Sequence, residues 1–168
     1  MIEKRPFAQR ELIVREGMRM RHAYFIENGL TRSYWLVDGQ EITTSFSTGG
    51  SIVFSMDELY YGEVSQEYVQ ALEPCEAYAI AIDDLRGLVR SNLRFAAWWT
   101  AIHQDEYRRL HRSHKDRLTL PARRRYEEFV RQFPDVARRA PLGCIASYIG
   151  VTLPTLSRLR AANLSQDK

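Results

Sequence analysis

The 168-residue chain is 45% hydrophobic and 27% charged, which is typical of a soluble globular protein and excludes a disordered one. No apolar run approaches the roughly 20 residues that span a bilayer. The first residues carry charges where a signal peptide requires an apolar block, so we expect a cytoplasmic protein with no membrane partner. Cys75 and Cys144 lack metal-ligand spacing, and buried free thiols are favoured over the alternative of a redox pair.

The charge is distributed unevenly along the chain. Residues 1–102 carry 10 Lys/Arg against 14 Asp/Glu, a net charge of −4, whereas residues 103–168 carry 14 against 7, a net charge of +7. A basic C-terminal part attached to a mildly acidic N-terminal part indicates a polyanion-binding module on a separate sensing or scaffolding module.

Short strands with frequent turns are predicted between residues 11 and 82. Asn28-Gly29 and Asp38-Gly39 lie between β-rich runs, which is the strongest short-range pattern for a hairpin. The strands are expected over residues 11–15, 24–26, 31–37, 42–46, 52–54, 68–72 and 77–82. Six or seven short strands at this spacing favour a sandwich or barrel-like roll over a parallel sheet.

Helical periodicity then replaces the strand pattern. A short helix is predicted over residues 84–90 and a long one over residues 92–118, whose 27 residues would extend roughly 40 Å. Apolar spacing at Phe95, Trp98/Trp99, Ile102 and position 106 favours a dimer seam, although Glu106 weakens that pattern. The alternative is that the tryptophans cover the roll.

Two prolines delimit the next predicted helix. Pro121 ends the long helix, and Pro134 stops the helix over residues 122–133. That helix has an apolar stripe expected to be buried, formed by Tyr126, Phe129, Val130 and Phe133.

Residues 142–160 predict two short helices joined by a tight turn. Gly150 can adopt the left-handed conformation that ends the first helix, and Val151 is the apolar residue that such a turn buries. Thr152 offers an oxygen to cap the second helix, whose first turn tolerates Pro154. Leu156 and Leu159 are expected to face inward.

The outward face of that second helix carries hydroxyl and guanidinium groups, which is what a helix in the DNA major groove presents. An ordinary helical hairpin with a solvated basic face is the alternative. The side chains expected to face outward are Thr155, Ser157, Arg158 and Arg160.

No constellation for an enzyme is present. His111 and His114 lie three residues apart on one helical face, with His103 and Asp105 two turns up the helix, but a solvated face is favoured over a metal site. The sequence has no glycine-rich phosphate loop and no nucleophile elbow. We therefore expect a non-enzyme with no metal and no cofactor.

In its order of parts the chain resembles the Crp/Fnr family of bacterial transcription regulators, most closely the branch common in Bacteroidetes. The segments that carry the resemblance are REG, YFIENGLTRSYW, YVQALEPCEAYAI and IASYIGVTLPTLSRLR, at residues 15–17, 24–35, 68–80 and 145–160. It implies an α+β fold. A double-stranded β-helix (jelly-roll-like β-roll) sensor domain would span residues 1–91, a dimerisation helix 92–118, and a helix–turn–helix DNA-binding domain 119–168.

The resemblance also implies an effector pocket in the roll. Gly62-Glu63 match the family's Gly-Glu pair, but Ser65-Gln66 occupy the place of the Arg-Ser pair that binds the cyclic phosphate. Loss of that arginine predicts no binding of cyclic AMP. The pocket would hold another ligand or none, with Tyr60, Tyr61 and Tyr68 lining it or packing in the core.

For DNA, Arg158 matches a family arginine that contacts bases or phosphate, whereas Leu153-Pro154 replace a pair that usually includes a carboxylate. The expected contacts are Thr152, Thr155, Ser157, Arg158 and Arg160. The family's β-hairpin wing would be absent or truncated, so Arg123, Arg124, Arg125, Arg138 and Arg139 are candidates for phosphate contacts.

The implied partners are double-stranded DNA, a second copy of the chain and RNA polymerase. The function predicted is a homodimeric regulator that binds a pseudo-palindromic site, with no iron–sulfur cluster because two cysteines cannot supply one. The alternative is a ligand- or protein-binding β-roll module whose helix–turn–helix does not bind DNA.

Overall fold

The computed structural model describes residues 2–164, with side chains described up to residue 162. It confirms the predicted α+β class, because two antiparallel sheets precede a helical region. The chain forms two compact units, one up to Asp105 and the other from Glu106 onward. Among the described helices, none has the length and apolar composition that crossing a bilayer requires.

The first unit is a roll of two four-stranded sheets, ordered β1-β8-β3-β6 and β2-β7-β4-β5, with antiparallel pairing throughout. Phe7, Ile26 and Ala77 from the first sheet share one apolar cluster with Val14 and Val69 from the second, so the core lies between the sheets. The strands are β1 Ile2–Phe7, β2 Leu12–Val14, β3 His22–Asn28, β4 Leu30–Val37, β5 Gln40–Thr48, β6 Ile52–Val53, β7 Tyr68–Ala71 and β8 Cys75–Ala81.

Only one of the two predicted hairpin turns joins paired strands. Asp38 and Gly39 have φ values of 51° and 78° between β4 and β5, as a two-residue hairpin turn requires. The prediction for Asn28-Gly29 is wrong, since β3 and β4 belong to different sheets. Gly29 instead lets the backbone pass close to Cys75. A Cβ on residue 29 would lie only 2.4 Å from the Sγ of Cys75.

Strand β1 was not predicted from the sequence. It pairs with β8 along its whole length, but five of its six residues are exposed. Because it lies at a sheet edge, it needs no alternation of apolar side chains and tolerates Pro6. Its charged sequence therefore carries no strand pattern.

Three helical segments complete the first unit: a π-helical turn at Asp57–Tyr61, α1 at Ile82–Ser91 and the start of α2, Leu93–Thr119. Trp99 is buried and joins an apolar cluster with Leu59 and Leu85. Phe95 packs against the same cluster. These contacts agree with the alternative that the tryptophans cover the roll, because Trp99 is buried within one copy. The dimer seam itself stays a prediction.

The second unit contains the rest of α2 and four shorter helices: α3 Ala122–Gln132, α4 Pro134–Arg139, α5 Leu142–Ile149 and α6 Leu153–Leu164. Helix α4 is not predicted by the sequence pattern, in which Pro134 indicates only the end of a helix. In the structure Pro134 also occupies the first turn of α4. Of the apolar stripe predicted on α3, Phe129 is buried and the other three residues are half-buried. Among the described side chains of this unit, the buried ones are Phe129, Val136, Ala140, Cys144, Ile145, Ala146, Tyr148, Ile149 and Leu156.

Candidate nucleic-acid interface and effector cleft

The turn between α5 and α6 has the geometry predicted from the sequence. Gly150 has φ 71°, in the left-handed region. Its N–H donates to the carbonyl of Ser147 at 3.2 Å, and the N–H of Val151 donates to the carbonyl of Ala146 at 2.9 Å. This pair of bonds is the Schellman arrangement that ends a helix and redirects the chain.

Thr152 caps the start of α6. Its Oγ1 accepts from the N–H of Thr155 at 3.4 Å, and its carbonyl accepts from the N–H of Leu156 at 3.0 Å. Pro154 lies in the first turn, where a missing N–H has no cost. The end of α5 and the start of α6 are therefore both defined by local bonds, which holds the second helix at a definite angle to the first.

Helix α6 has one face packed and one face open. Leu156 is completely buried and Leu159 is half-buried, as predicted. Ser157 and Arg158 are exposed, with one long hydrogen bond of 3.5 Å from Arg158 to the Thr155 hydroxyl. Of the other predicted DNA contacts, Thr152 is exposed, whereas Thr155 and Arg160 are half-buried.

Arg125 stabilises the pair of helices α5 and α6, a role that was not predicted from the sequence. Its guanidinium donates to the backbone carbonyl of Arg117 at 3.1 Å and to that of Gly150 at 3.3 Å. One side chain thus ties the end of α2 to the turn before α6. Because its two terminal nitrogens donate to backbone carbonyls, Arg125 positions this turn, and its use as a phosphate contact stays a prediction.

The other arginines suggested for phosphate contacts sit in ion pairs. Arg123 and Arg124 both reach Glu127, and their hydrogen bonds, that of Arg124 foremost, lower the pKa of that carboxyl. Arg138 and Arg139 both reach Asp135, whose pKa is lowered in the same way. Such exposed pairs are worth little, so these guanidinium groups can exchange a carboxylate for a phosphate at low cost.

An aromatic group supports the helix pair. The ring of Tyr148 on α5 lies 5.5 Å from that of Phe129 and 6.1 Å from that of Phe133, both measured between centroids. Burial raises the pKa of the Tyr148 phenol, so the group stays neutral. The face of α6 opposite this core is the one left for a ligand.

The first unit contains an open cleft of about 610 Å³ between the π-helical turn, α1 and α2. Three of the six residues predicted for an effector pocket, Tyr60, Tyr61 and Gly62, line it. The full lining is Leu59, Tyr60, Tyr61, Gly62, Asp83, Arg86, Val89, Arg90 and Trp99.

Tyr60 is already bound at the wall of this cleft. Its hydroxyl lies 2.5 Å from Nε2 of His103 and accepts from the indole N–H of Trp99 at 3.1 Å. Nδ1 of His103 lies 2.8 Å from the carbonyl of Trp99, so Nδ1 carries the proton and Nε2 accepts from Tyr60. Burial raises the pKa of the Tyr60 phenol. His103 was not predicted as part of this site.

Arg86 is the half-buried cation of the cleft, but its donors are taken. Nε donates to the carbonyl of Leu59 at 2.9 Å, one terminal nitrogen to the carbonyl of Glu58 and the other to Asp83 at 2.9 Å. The guanidinium therefore holds the end of the π-helical turn. It is not placed to replace the phosphate-binding arginine that the sequence lacks.

The remaining predicted pocket residues, Glu63, Ser65 and Gln66, do not line the cleft. The Ser65 hydroxyl is buried and donates to the carbonyl of Glu67 at 3.0 Å, and the N–H of Gln66 donates to Asp57 at 2.9 Å. Glu63 is exposed. The loop where the family binds a cyclic phosphate is thus held by a bond within itself and by a bond to the π-helical turn.

Glu67 disfavours the binding of an anion to this loop. Burial, with a smaller contribution from the Asp57 carboxylate, raises the pKa of Glu67 to about 7. A phosphate bound here would face two carboxyl groups and no arginine of the loop. The geometry agrees with the sequence argument against cyclic AMP.

Comparison with known proteins places the chain in a family. The profile of the cyclic nucleotide-binding domain matches residues 4–92, which is more than half of the sequence, and the chain belongs to this family. Among curated proteins, no significant match is found.

Solved structures with the same fold cover nearly the whole chain. FixK2 from Bradyrhizobium japonicum has a TM-score of 0.84 at 20% identity, over 99% of this chain and 86% of its own. The c-di-GMP-responsive regulator CLP from Xanthomonas campestris has a TM-score of 0.72 at 17% identity, over 99% and 88%. A protein described as a Crp/Fnr-family transcriptional regulator, from Eubacterium rectale, has a TM-score of 0.75 at 13% identity, over 98% and 79%. The chain thus has the Crp/Fnr fold, as the resemblance implied.

Proposed function

We propose that the protein is a cytoplasmic transcription regulator that binds a pseudo-palindromic DNA site as a homodimer and does not respond to cyclic AMP. The observation that carries this proposal is the exposed face of α6, with Ser157 and Arg158 open to solvent on a helix fixed by Gly150, Thr152 and Leu156. A serine and an arginine at this place suit the donor and acceptor groups of base edges.

Support for the homodimer comes from the outer face of α2. Exposed residues recur there at intervals of alternately four and three, the heptad spacing of a two-stranded coiled coil. Leu93, Tyr107 and Leu118 lie on this face, and 89%, 72% and 72% of their surfaces are exposed. Pairing with a second copy through this face would bury these apolar side chains. The residues of this face, called the outer seam below, are Leu93, Ala97, Thr100, Gln104, Tyr107, His111, His114 and Leu118.

In such a dimer, the two α6 helices would enter successive major grooves, roughly 34 Å apart, on an inverted repeat. Base contacts are assigned to Ser157 and Arg158, and contacts to bases or phosphate to Thr152, Thr155 and Arg160. RNA polymerase is the partner through which a DNA-bound regulator of this kind would act.

A second candidate function is favoured by one observation. Leu153, at the start of α6, is 47% exposed, and together with Pro154 it offers a protein partner an apolar contact where a carboxylate would accept from cytosine. In this alternative, α5 and α6 bind a protein and not DNA, and the roll binds that partner or a ligand.

Salt dependence separates the two functions. Binding of the full-length protein to a fluorescent duplex is measured by anisotropy at several salt concentrations. A DNA-binding homodimer with 6–10 phosphate contacts loses roughly 10³–10⁵ in affinity between about 50 and 200 mM salt. An affinity for duplex that is absent at low salt, or that does not fall as salt rises, contradicts the proposal.

Cyclic AMP gives a separate test. Because the Ser65–Glu67 loop offers no arginine and has an acidic side chain, millimolar cyclic AMP should leave both the melting temperature and the DNA affinity unchanged. A rise in either value upon addition of the nucleotide would show that another group replaces the missing arginine.

A further inference from the structure

Two histidines occupy neighbouring positions of the outer seam. His111 and His114 are both exposed, and side chains three apart on a helix have Cβ atoms about 5–6 Å from each other. The ring of Tyr107, four residues earlier and at the preceding position of the outer seam, stacks on His111 with the centroids 6.1 Å apart and the planes 25° apart. His111 and His114 therefore lie on the same face of α2.

One copy of the chain does not complete a metal site. Within the described residues, no three His, Cys, Asp or Glu side chains of a single copy lie together as metal ligands. A parallel coiled coil pairs each seam position with the same position of the second copy. Pairing through the outer seam would therefore bring four imidazoles, two from each copy, into two adjacent layers.

We propose that the homodimer binds one divalent transition-metal ion, such as Zn²⁺ or Co²⁺, through His111 and His114 of both copies. This inference rests on the homodimer proposed above. Four imidazole nitrogens suit the tetrahedral coordination of these ions, whereas Mg²⁺ and Ca²⁺ prefer oxygen ligands, which the two histidine layers do not offer.

A metal ion bound between the histidines would stabilise the dimer, because the neighbouring residues contribute little attraction between the two copies. The seam contains polar layers at Thr100, Gln104, His111 and His114, which contribute little apolar burial. Arg108, Arg112 and Lys115 lie near the two histidines in the sequence and add no apolar surface to the seam. Without metal the dimer is therefore weak, and coordination adds attraction where the side chains supply none.

The test uses the full-length protein with Co²⁺ as the probe, because tetrahedral Co²⁺ has intense visible absorption. Sedimentation gives the dimer dissociation constant with EDTA and with Co²⁺, and titration of the absorption gives the stoichiometry. We expect one Co²⁺ per dimer. The dimer dissociation constant should fall about a hundredfold when free Co²⁺ is a hundred times its own dissociation constant.

The variants compare the two histidines of the outer seam with His22, which lies outside it. H111Q/H114Q should abolish the absorption and the effect of Co²⁺ on dimerisation, whereas His22→Gln, at an exposed histidine of β3, should leave both unchanged. Since the exchanged residues are exposed, circular dichroism should show an unchanged fold.

Each outcome decides a different point. A dimer that binds no Co²⁺, or a Co²⁺ site that H111Q/H114Q retains, overturns the metal site but leaves the homodimer. A protein that is monomeric with and without Co²⁺ overturns both. A monomer that dimerises only with Co²⁺ supports the site and makes dimerisation metal-dependent.

Discussion

The two candidate sites differ in what their polar groups already bind. On α6, Ser157 and Arg158 are exposed and make at most one long hydrogen bond. At the cleft of the roll, Tyr60 and Arg86 are held by side chains and carbonyls of the same unit. A group that is uncommitted in the free protein can bind a partner without first breaking an internal bond, so α6 is suited to an external ligand and the cleft mainly to holding the roll together.

The largest expected effect comes from the core beneath α6. Leu156→Ala removes a completely buried side chain and should lower the stability of the second unit by about 2–5 kcal/mol. All three tryptophans lie in the first unit, so their fluorescence reports the roll while helical circular dichroism reports both units. We expect the circular dichroism transition to shift and the fluorescence transition to stay. A loss shared equally by both probes would show that the two regions do not unfold separately.

The next effect concerns the loop at the roll. Because the pKa of Glu67 is raised to about 7, the folded protein keeps a proton that the unfolded chain has already lost above about pH 4.5. The stabilisation that the protonated Glu67 carboxyl contributes is therefore complete below pH 4.5 and is lost as the pH rises through 7. Glu67→Gln should stabilise the protein at pH 8 by on the order of 2 kcal/mol and hardly at all at pH 4.

Denaturant titrations at the two pH values measure this difference. Glu63→Gln, at an exposed side chain of the same loop, is the matched control and should follow the wild-type profile. If Glu67→Gln left the pH profile of stability unchanged, burial would not raise the pKa of this carboxyl in the folded loop.

Removal of the open arginine on α6 should affect DNA binding and not folding. Arg158→Ala should weaken binding to the protein's specific DNA site by about 1–3 kcal/mol and relax the base preference at one base pair of that site. Arg158→Lys should restore little if the contact to guanine is bidentate. Arg138→Ala, an exposed arginine of α4, serves as the control and should weaken binding to all sequences alike. Equal losses for Arg158→Ala on specific and random duplexes would make Arg158 a phosphate contact.

The smallest expected effect is at the cap of α6. Thr152→Ala removes the oxygen that accepts from the N–H of Thr155 and should cost about 1 kcal/mol of stability, whereas Thr152→Ser should keep most of it. Thermal unfolding followed by helical circular dichroism measures the difference. A serine variant as unstable as the alanine variant would assign the loss to the methyl group and not to the cap.

Features that depend on neighbouring residues were predictable from the sequence. The left-handed Gly150, the cap at Thr152 and the Asp38-Gly39 turn are determined within a few residues, and the structure agrees with each prediction. The roll followed from strand spacing, and the buried Leu156 from its place on α6.

Features that depend on distant segments were not predictable in this way. Both faces of α2 carry apolar residues, and the choice of face was settled by the roll, which buries Trp99. Asn28-Gly29 has the composition of a hairpin turn, but β4 belongs to the other sheet, and the backbone at Gly29 passes close to Cys75 of β8. The role of Arg125 depends on carbonyls 8 and 25 residues away in the sequence.

Selection of the full-length protein against a random pool of duplex DNA, with no effector added, is the most direct test of the central claim. A homodimer that presents two copies of α6 predicts enrichment of an inverted repeat whose half-sites are separated by about one helical turn. Arg158→Ala should then lose or broaden that motif. Recovery of no motif from wild-type protein that is folded and dimeric, with or without cell extract to supply an effector, would contradict the claim that α6 binds specific DNA.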